Sequence, residues 1–555
     1  MPTENKQCQN CKQDFTIEPE DFQFYEKIKV PPPTWCPECR FKRGALWRNE
    51  RTLYKRVCQL CKKSIITMYN PKLPYIVYCK NCYESDQWDR YSYSKPYNSS
   101  RPFFEQLGEL MKAIPKEATY ISTGLGPNIG SDYTNFAGGN KHCYLLFNAG
   151  HCEEVMYSRG LIECRDVLDA YFGTKIERCY ETVNAHHSNG IIFGQNVSGC
   201  VDSMFLLNTS GCQNCFGCVN LRNKSYHFMN ESLSKEEWKT RVGEIMGSYK
   251  KMEEARKQFE LFVSKFPRKE NNNLKTINST GDYLFECKNV NNSFEVEHSE
   301  DCKYNFSIKR AKDVYDGVGY SYNSELMIGC VAVGLSRHMI GCSVVENSQN
   351  IEYSFSLRSC TDCIGCDGLR NAQYCILNKQ YSQEEYEKIR EHIINELKGK
   401  NLYGLSMSPS VVPFAYNETI AQDNVPLTKD EALKYGFRWE DDIQATRGKE
   451  TITPEQIPDH INNVPDDITK EILLCILCKK NYNITKSELQ FYRKMILPIP
   501  RQCFNCRFID RISRRGPFKL YSRNCAKCEK GIQTSYAPDR LEIVYCEECY
   551  IREVV

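Results

Sequence analysis

The chain has 555 residues, of which 41% are hydrophobic, and a formal net charge of +3. That length supports several domains with cores of their own, and so small a net charge excludes a polycation that binds by bulk electrostatics. No stretch approaches the roughly 20 apolar residues that a bilayer-crossing helix needs, so membrane insertion is set aside.

Residues 1–100 open with four C-x2-C pairs: Cys8/Cys11, Cys36/Cys39, Cys58/Cys61 and Cys79/Cys82. Residues 471–555 carry the same frame, Cys475/Cys478, Cys503/Cys506, Cys525/Cys528 and Cys546/Cys549, and a constant shift of 467 superimposes the two without a gap. Two thiolates on a tight knuckle reach one ion without straining the backbone, and two knuckles complete an all-sulfur tetrahedral shell. Such a shell has no open position, so four structural rather than catalytic sites are expected, with zinc the preferred ion and rubredoxin-like iron the alternative. Sequential and cross-brace pairing both satisfy the spacing. Sequential pairing is preferred, giving Cys8, Cys11, Cys36 and Cys39 one ion. The opening MPTENKQCQN has no signal-peptide pattern, which points to a cytoplasmic chain with reduced thiols rather than a disulfide framework.

Between the second and third pairs lies a basic spacer. Residues 40–57 carry seven Lys/Arg against Glu50, and residues 507–524 carry six against Asp510. The positions Arg40/Arg507, Arg48/Arg515, Tyr54/Tyr521 and Arg56/Arg523 agree between the copies. Basic residues interleaved with aromatics can neutralise phosphates and stack on unpaired bases, which makes these eight a candidate nucleic-acid face. A solvated face of a small packed domain is the competing reading. The paired Phe24-Tyr25 and Phe491-Tyr492 read as packing residues.

Residues 101–131 read as a linker, with RPFFEQLGELMKAIP as a short amphipathic helix and GLGPNIG at 124–130 as a connecting loop. Two repetitive blocks follow, at 132–230 and 276–380. Short alternating stretches are punctuated by Asn, Ser, Gly and Cys about every dozen residues, as in the SGC ending at Cys200 and Cys212 and the IGC ending at Cys330 and Cys342. The pattern predicts stacked coils of a β-solenoid, with Cys, Val, Ile, Phe and Tyr inside, and a sandwich or barrel as the alternative. Both blocks end alike, at Cys212/Cys215/Cys218 and Cys360/Cys363/Cys366, related by a shift of 148. These triplets read as small inward residues, with a metal site as the other possibility. Capping boxes at Ser234/Glu237 and Ser382/Glu385 then start helices within 231–275 and 381–400 that would cover an open sheet edge. Residues 401–470 form a proline-rich connector with one short helix near Lys429–Tyr435.

The fold expected is multidomain and mainly β: duplicated double zinc-ribbon modules at both ends of a duplicated β-solenoid-like (parallel β-helix) core with capping helices. The CxGCxxLRN box, PFAYNETIAQDNVPLTKDEAL and the terminal SYAPDRLEIVYCEECY together resemble large zinc-ribbon proteins of candidate-phylum bacteria and giant viruses. That resemblance implies the same domain order and no particular activity. Walker A, G-x-S-x-G, H-E-x-x-H and dinucleotide motifs are missing from the sequence. The residues favour a non-enzymatic zinc protein that binds RNA, DNA or a nucleoprotein. A self-associating scaffold is the alternative, and a β-helix enzyme acting on polysaccharide is the third.

Overall fold

The computed structural model describes residues 2–121, 124–443 and 446–554, apart from the side chain of residue 320. Residues 122–123 of the expected linker and 444–445 of the connector lie outside the described residues. The chain forms two compact units. The first joins Met1–Thr119 to Asn271–Asp441 and Phe518–Leu520; the second joins Tyr120–Glu270 to Asp442–Pro517 and Tyr521–Val555. Each cysteine module therefore shares a unit with the block farther from it in sequence.

In the second unit, long strands at Glu153–Ile162, Arg165–Thr174, Glu177–His186, Asn189–Ser198 and Val201–Ser210 pair in parallel, each with the next. The register advances by twelve residues at every step, as in Arg165↔Glu177 and Asn189↔Val201. The first unit repeats the pattern in two parallel sheets. Its offset is twelve until Phe306↔Val318, becomes thirteen for one repeat from Ile308↔Ser321, where one extra residue enters, and is twelve again from Tyr322↔Gly334. This insertion explains why the blocks align at 147 before it and at 148 after it.

The expected alternation of period two is replaced by period three. Along residues 142–187, left-handed backbone recurs at every third position, at His142, Leu145, Asn148, His151, Glu154, Tyr157 and onward. A left-handed residue turns the chain, so one side chain per three points inward. The buried core of this block follows that count: Cys143, Leu146, Ala149, Cys152, Val155 and so on to Cys218. The first unit does the same from Leu284 to Cys375. Neither core contains a ring, which corrects the expectation of inward Phe and Tyr. Four inward positions per twelve residues leave space only for small and aliphatic groups, so the aromatics stand outside.

The inward positions also close hydrogen bonds. Ser188 Oγ donates to the His186 carbonyl at 2.8 Å and accepts the Cys200 N–H at 3.1 Å. Cys200 Sγ in turn lies 3.6 Å from the Ser198 carbonyl and 3.4 Å from the Cys212 nitrogen. Cysteine thus serves as a small residue with a weak donor and acceptor. The triplets Cys212/Cys215/Cys218 and Cys360/Cys363/Cys366 belong to this ladder and are fully or almost fully buried.

The helix expectations hold in type and differ in detail. Both capping boxes form, starting Lys235–Ile245 and Gln383–Gly399. The first helical stretch breaks at Gly247, whose φ of +80° suits glycine, and restarts as Tyr249–Val263. Each sheet edge ends in a two-residue antiparallel return, Glu231–Ser232 and Lys379–Gln380, before its helix begins. Phe103–Ala113 and Lys429–Lys434 are helical as read. Among the described residues no helix is long and apolar enough to cross a membrane.

The ladder makes a prediction. Cys200→Ser keeps a donor and acceptor at the same place and should change stability by no more than about 1 kcal/mol. Cys200→Leu overfills a repeat that has no spare width and should cost about 1–3 kcal/mol. Urea midpoints of the two variants check the order.

Candidate metal centres

Each module brings its eight cysteines together as two groups of four. The groups are Cys8/Cys11/Cys36/Cys39, Cys58/Cys61/Cys79/Cys82, Cys475/Cys478/Cys503/Cys506 and Cys525/Cys528/Cys546/Cys549, with the sulfurs of each group all within 4.8 Å of one another. Sequential pairing is therefore the arrangement adopted. Among the described residues these are the clusters of three or more potential ligands at that distance, and the triplets of the blocks are not among them. None of the 32 cysteines is joined in a disulfide.

The local sequence builds each knuckle. The Cys8 N–H donates to the Gln13 carbonyl at 2.8 Å and the Lys12 N–H to the Cys8 carbonyl at 3.0 Å. In the first pair of each group the residue after the second cysteine is left-handed: Lys12, Lys62, Lys479 and Glu529. The later pair of each group sits at the start of a helix, with Cys36, Cys79 and Cys503 in the capping position, where amide N–H groups favour thiolate. Backbone N–H groups also point at the first sulfur, from Cys36 to Cys8 at 3.2 Å and from Cys503 to Cys475 at 3.3 Å. Burial works to raise the Cys8 and Cys58 thiols, but these N–H contacts outweigh it and bring them down to about 7 and about 6.

The donor set fits zinc. Sulfur pairs such as Cys11/Cys36, Cys478/Cys503 and Cys528/Cys546 stand 3.7 Å apart, and Cys61/Cys79 3.8 Å. A regular tetrahedron with Zn–S bonds of about 2.3 Å has edges of about 3.8 Å. Four thiolates close the shell, so these are staples and not sites where water or substrate could bind.

The basic spacers lie elsewhere than expected. Helices Pro37–Ala45 and Phe504–Arg515 each continue from a ligand cysteine straight into an arginine. Arg40 is buried; its Nε donates to Asp316 Oδ2 at 2.8 Å, its Nη1 to the Trp35 carbonyl at 2.7 Å, and its guanidinium lies 5.0 Å from the Tyr304 ring. Arg507 does the same in the second unit, to Asp169 at 2.8 Å, to the Gln502 carbonyl at 2.8 Å, and 5.3 Å from Tyr157. Burial works against the charge on Arg40 and Arg507, yet Asp316 and Asp169 carry both above their ordinary values. Arg511 adds contacts to Asp169 at 2.9 Å and Glu181 at 3.0 Å.

The reading of an exposed nucleic-acid face is corrected at these positions. Arg40, Arg48, Tyr54, Arg507 and Arg515 are all buried. Arg48 pairs with Glu50, Tyr54 with Glu418, and Arg515 donates to the Tyr171 hydroxyl. Arg56 and Arg523, half-buried, clasp carbonyls of their own module loops: Asn70 and Tyr75 for one, Ala537 and Glu542 for the other. Tyr521 is half-buried on the hairpin Tyr521–Asn524/Gly531–Thr534. The copies agree because both modules dock on a block. The partners Asp316 and Asp169 were hidden in sequence, since they are two acids among 70; only their equivalent places in the repeat, 147 apart, mark them.

Compared with known proteins, the sequence matches no protein-family profile and no curated relative.

Two outcomes are expected. Metal analysis of the purified chain should return four zinc ions, and Cys8→Ser should lower the count to three; strong chelation should unfold the modules. Arg507→Met takes one of two arginines from Asp169, which keeps Arg511, and removes the one 3.6 Å from Glu488; it should cost about 2–3 kcal/mol, read as a lowered denaturation midpoint. An exposed Arg507 would instead leave the midpoint unchanged.

Proposed function

We propose that this chain is a non-enzymatic, zinc-stapled scaffold in which two narrow β-solenoids are each clasped by a double zinc-ribbon module. The observation that carries it is the use made of the arginines. Arg40, Arg507 and Arg511 are buried on Asp316, Asp169 and Glu181, so the most basic segments serve internal docking and are withdrawn from solvent. The parallel registers of twelve support the solenoid reading, and the matched contacts of the two modules support their derivation from one ancestral module. The same contacts weigh against the polysaccharide enzyme: Asp169 and Glu181 come together, but each is held by arginines, Arg507 and Arg511 on one and Arg511 and Arg514 on the other. The resemblance in domain order is consistent with this scaffold.

The test uses full-length, zinc-loaded protein with a fluorescent single-stranded oligonucleotide across a salt series. No binding is expected at low salt, because the matched arginines are already engaged inside the protein, on carboxylates, on carbonyls and on the Tyr171 hydroxyl. Retention with an affinity that falls steeply between about 50 and 200 mM salt would overturn the reading in favour of a nucleic-acid binder.

A further inference from the structure

The two units differ at one place where their residues correspond. In the first, Val77–Tyr78 pairs in parallel with Lys116–Glu117; in the second, Val544–Tyr545 pairs in the same way with Arg268–Lys269. Lys116 and Arg268 therefore hold the same station beside the last knuckle. Lys116 is 1% exposed, forms an ion pair with the fully buried Asp367, and lies 5.4 Å from the Phe355 ring. At a shift of 148, Phe355 and Asp367 become Leu207 and Val219 in the second unit. The cation has been kept and its carboxylate has not.

Arg268 is 8% exposed, and its Nη1 is buried without a hydrogen-bond partner. It lines a cavity of about 310 Å³ together with Phe193, Phe205, Phe259, Arg540 and the acids Glu260 and Glu542, and the Glu542 carboxylate acts on it electrostatically. Phe193 and Phe205 are stacked at 4.8 Å, with Phe259 5.8 Å from Phe205, so one wall is a surface of rings. The other arginines on the cavity have partners: Arg540 on Glu542, Arg514 on Glu181 and Arg256 on Asp510. In the first unit the matching module loop keeps the ring of Tyr536, as Tyr69, and has Tyr75 in place of Glu542. These rings are buried, with Tyr69 packed 5.8 Å from Tyr75 and 5.5 Å from Phe414.

We propose that this cavity in the second unit binds a small organic oxyanion, a carboxylate or phosphate carried on a flat ring, with the oxyanion on Arg268 and the ring against Phe193, Phe205 and Phe259. A buried guanidinium whose Nη1 has no hydrogen-bond partner, and whose acid neighbour Glu542 is already held by Arg540, leaves a donor to be satisfied from outside. The volume lies at the lower end of small-molecule sites, which run from about 300 Å³ upward. That size suits a single aromatic acid or mononucleotide and not a polymer. The site is independent of the scaffold reading and adds a ligand to it.

The test is calorimetric titration of full-length, zinc-loaded protein with benzoate, adenosine 5′-monophosphate, inorganic phosphate and adenosine. At least one of the two ring-bearing anions should bind at least about ten-fold tighter than phosphate alone or adenosine alone, since ring and charge each contribute. Arg268→Gln should weaken that binding about ten-fold or more, as expected for loss of a charge-assisted contact. Val219→Asp restores an internal carboxylate at the station that Asp367 holds in the first unit and should block binding while Arg268 remains. Circular dichroism and zinc content establish that each variant is folded. The proposal is overturned if neither ring-bearing anion binds below about 10 mM, a level at which affinity is too weak for a built site. Equal affinity in folded Arg268→Gln also overturns it.

Discussion

A buried guanidinium on a buried carboxylate, Arg40 on Asp316 and Arg507 on Asp169, is the contact on which each unit depends. The arginine directly follows a metal-ligand cysteine, Cys39 in one module and Cys506 in the other. One helix thus holds the ion with its first turn and the parallel block with the next residue. Neither partner is self-sufficient. A module of this size has too little apolar interior to stand without its metal. The block, filled by small residues, keeps its aromatics on the outside, where Tyr304 and Tyr157 need cover. The arginine lies against those same rings, so the ion, the helix and the rings are fixed together. Charges placed in this way add more to specificity of docking than to net stability. The reason is that only one register of helix on block leaves no buried carboxylate alone.

What could be read in the sequence was local. The C-x2-C spacing specified four all-sulfur groups and their count, because a knuckle is decided by a handful of neighbouring residues. The capping boxes at Ser234 and Ser382 specified helix starts for the same reason. The period near twelve was visible too, through Cys200/Cys212 and Cys330/Cys342. The three-residue pitch within it was not, since the left-handed corners are occupied by Asn, Asp, His, Glu and Tyr rather than by a regular glycine. Each such corner costs about 1–2 kcal/mol for a non-glycine residue in isolation. Here stacking sustains it, as in the ladder Asn184–Asn196–Asn208, whose side chains link at 2.8 and 3.0 Å. The partner of each arginine was not legible at all. It lies some 276 to 338 residues away, across the unexpected pairing of each module with the distant block.

The 32 cysteines divide evenly into two chemistries that share one requirement. Sixteen bind as thiolates in the modules, and sixteen stand inward in the blocks as thiols whose burial mostly raises them above the ordinary thiol range, as for Cys143, Cys179 and Cys302. An inward residue that serves the hydrogen-bond ladder must be small, tolerate an apolar setting and still answer a nearby carbonyl and the amide one repeat on. Alanine fails the last condition and valine the last also, while serine meets it with a larger desolvation cost. Cysteine lies between them. Oxidation would damage both populations, through lost ligands in one and through added volume in the other.

The correspondence between the units also separates what docking requires from what it permits. The arginine, its carboxylate and the ring beneath it recur in both, as does the parallel pair beside the last knuckle. The acid at residue 367 does not recur at residue 219. A sequence under pressure for stability alone would change a buried cation together with its carboxylate, since either one left behind carries the full desolvation penalty. Retaining Arg268 opposite valine therefore keeps a cost that Glu542, itself held by Arg540, meets only in part. In the first unit rings from the module loop fill the neighbouring space; in the second that space is open and the cation lines it. Loss of the carboxylate and loss of a filling ring are separate substitutions on separate segments, residue 219 on one and residue 542 on the other. Their convergence on a single cavity is what a ligand would select and what drift of isolated surface positions would not produce.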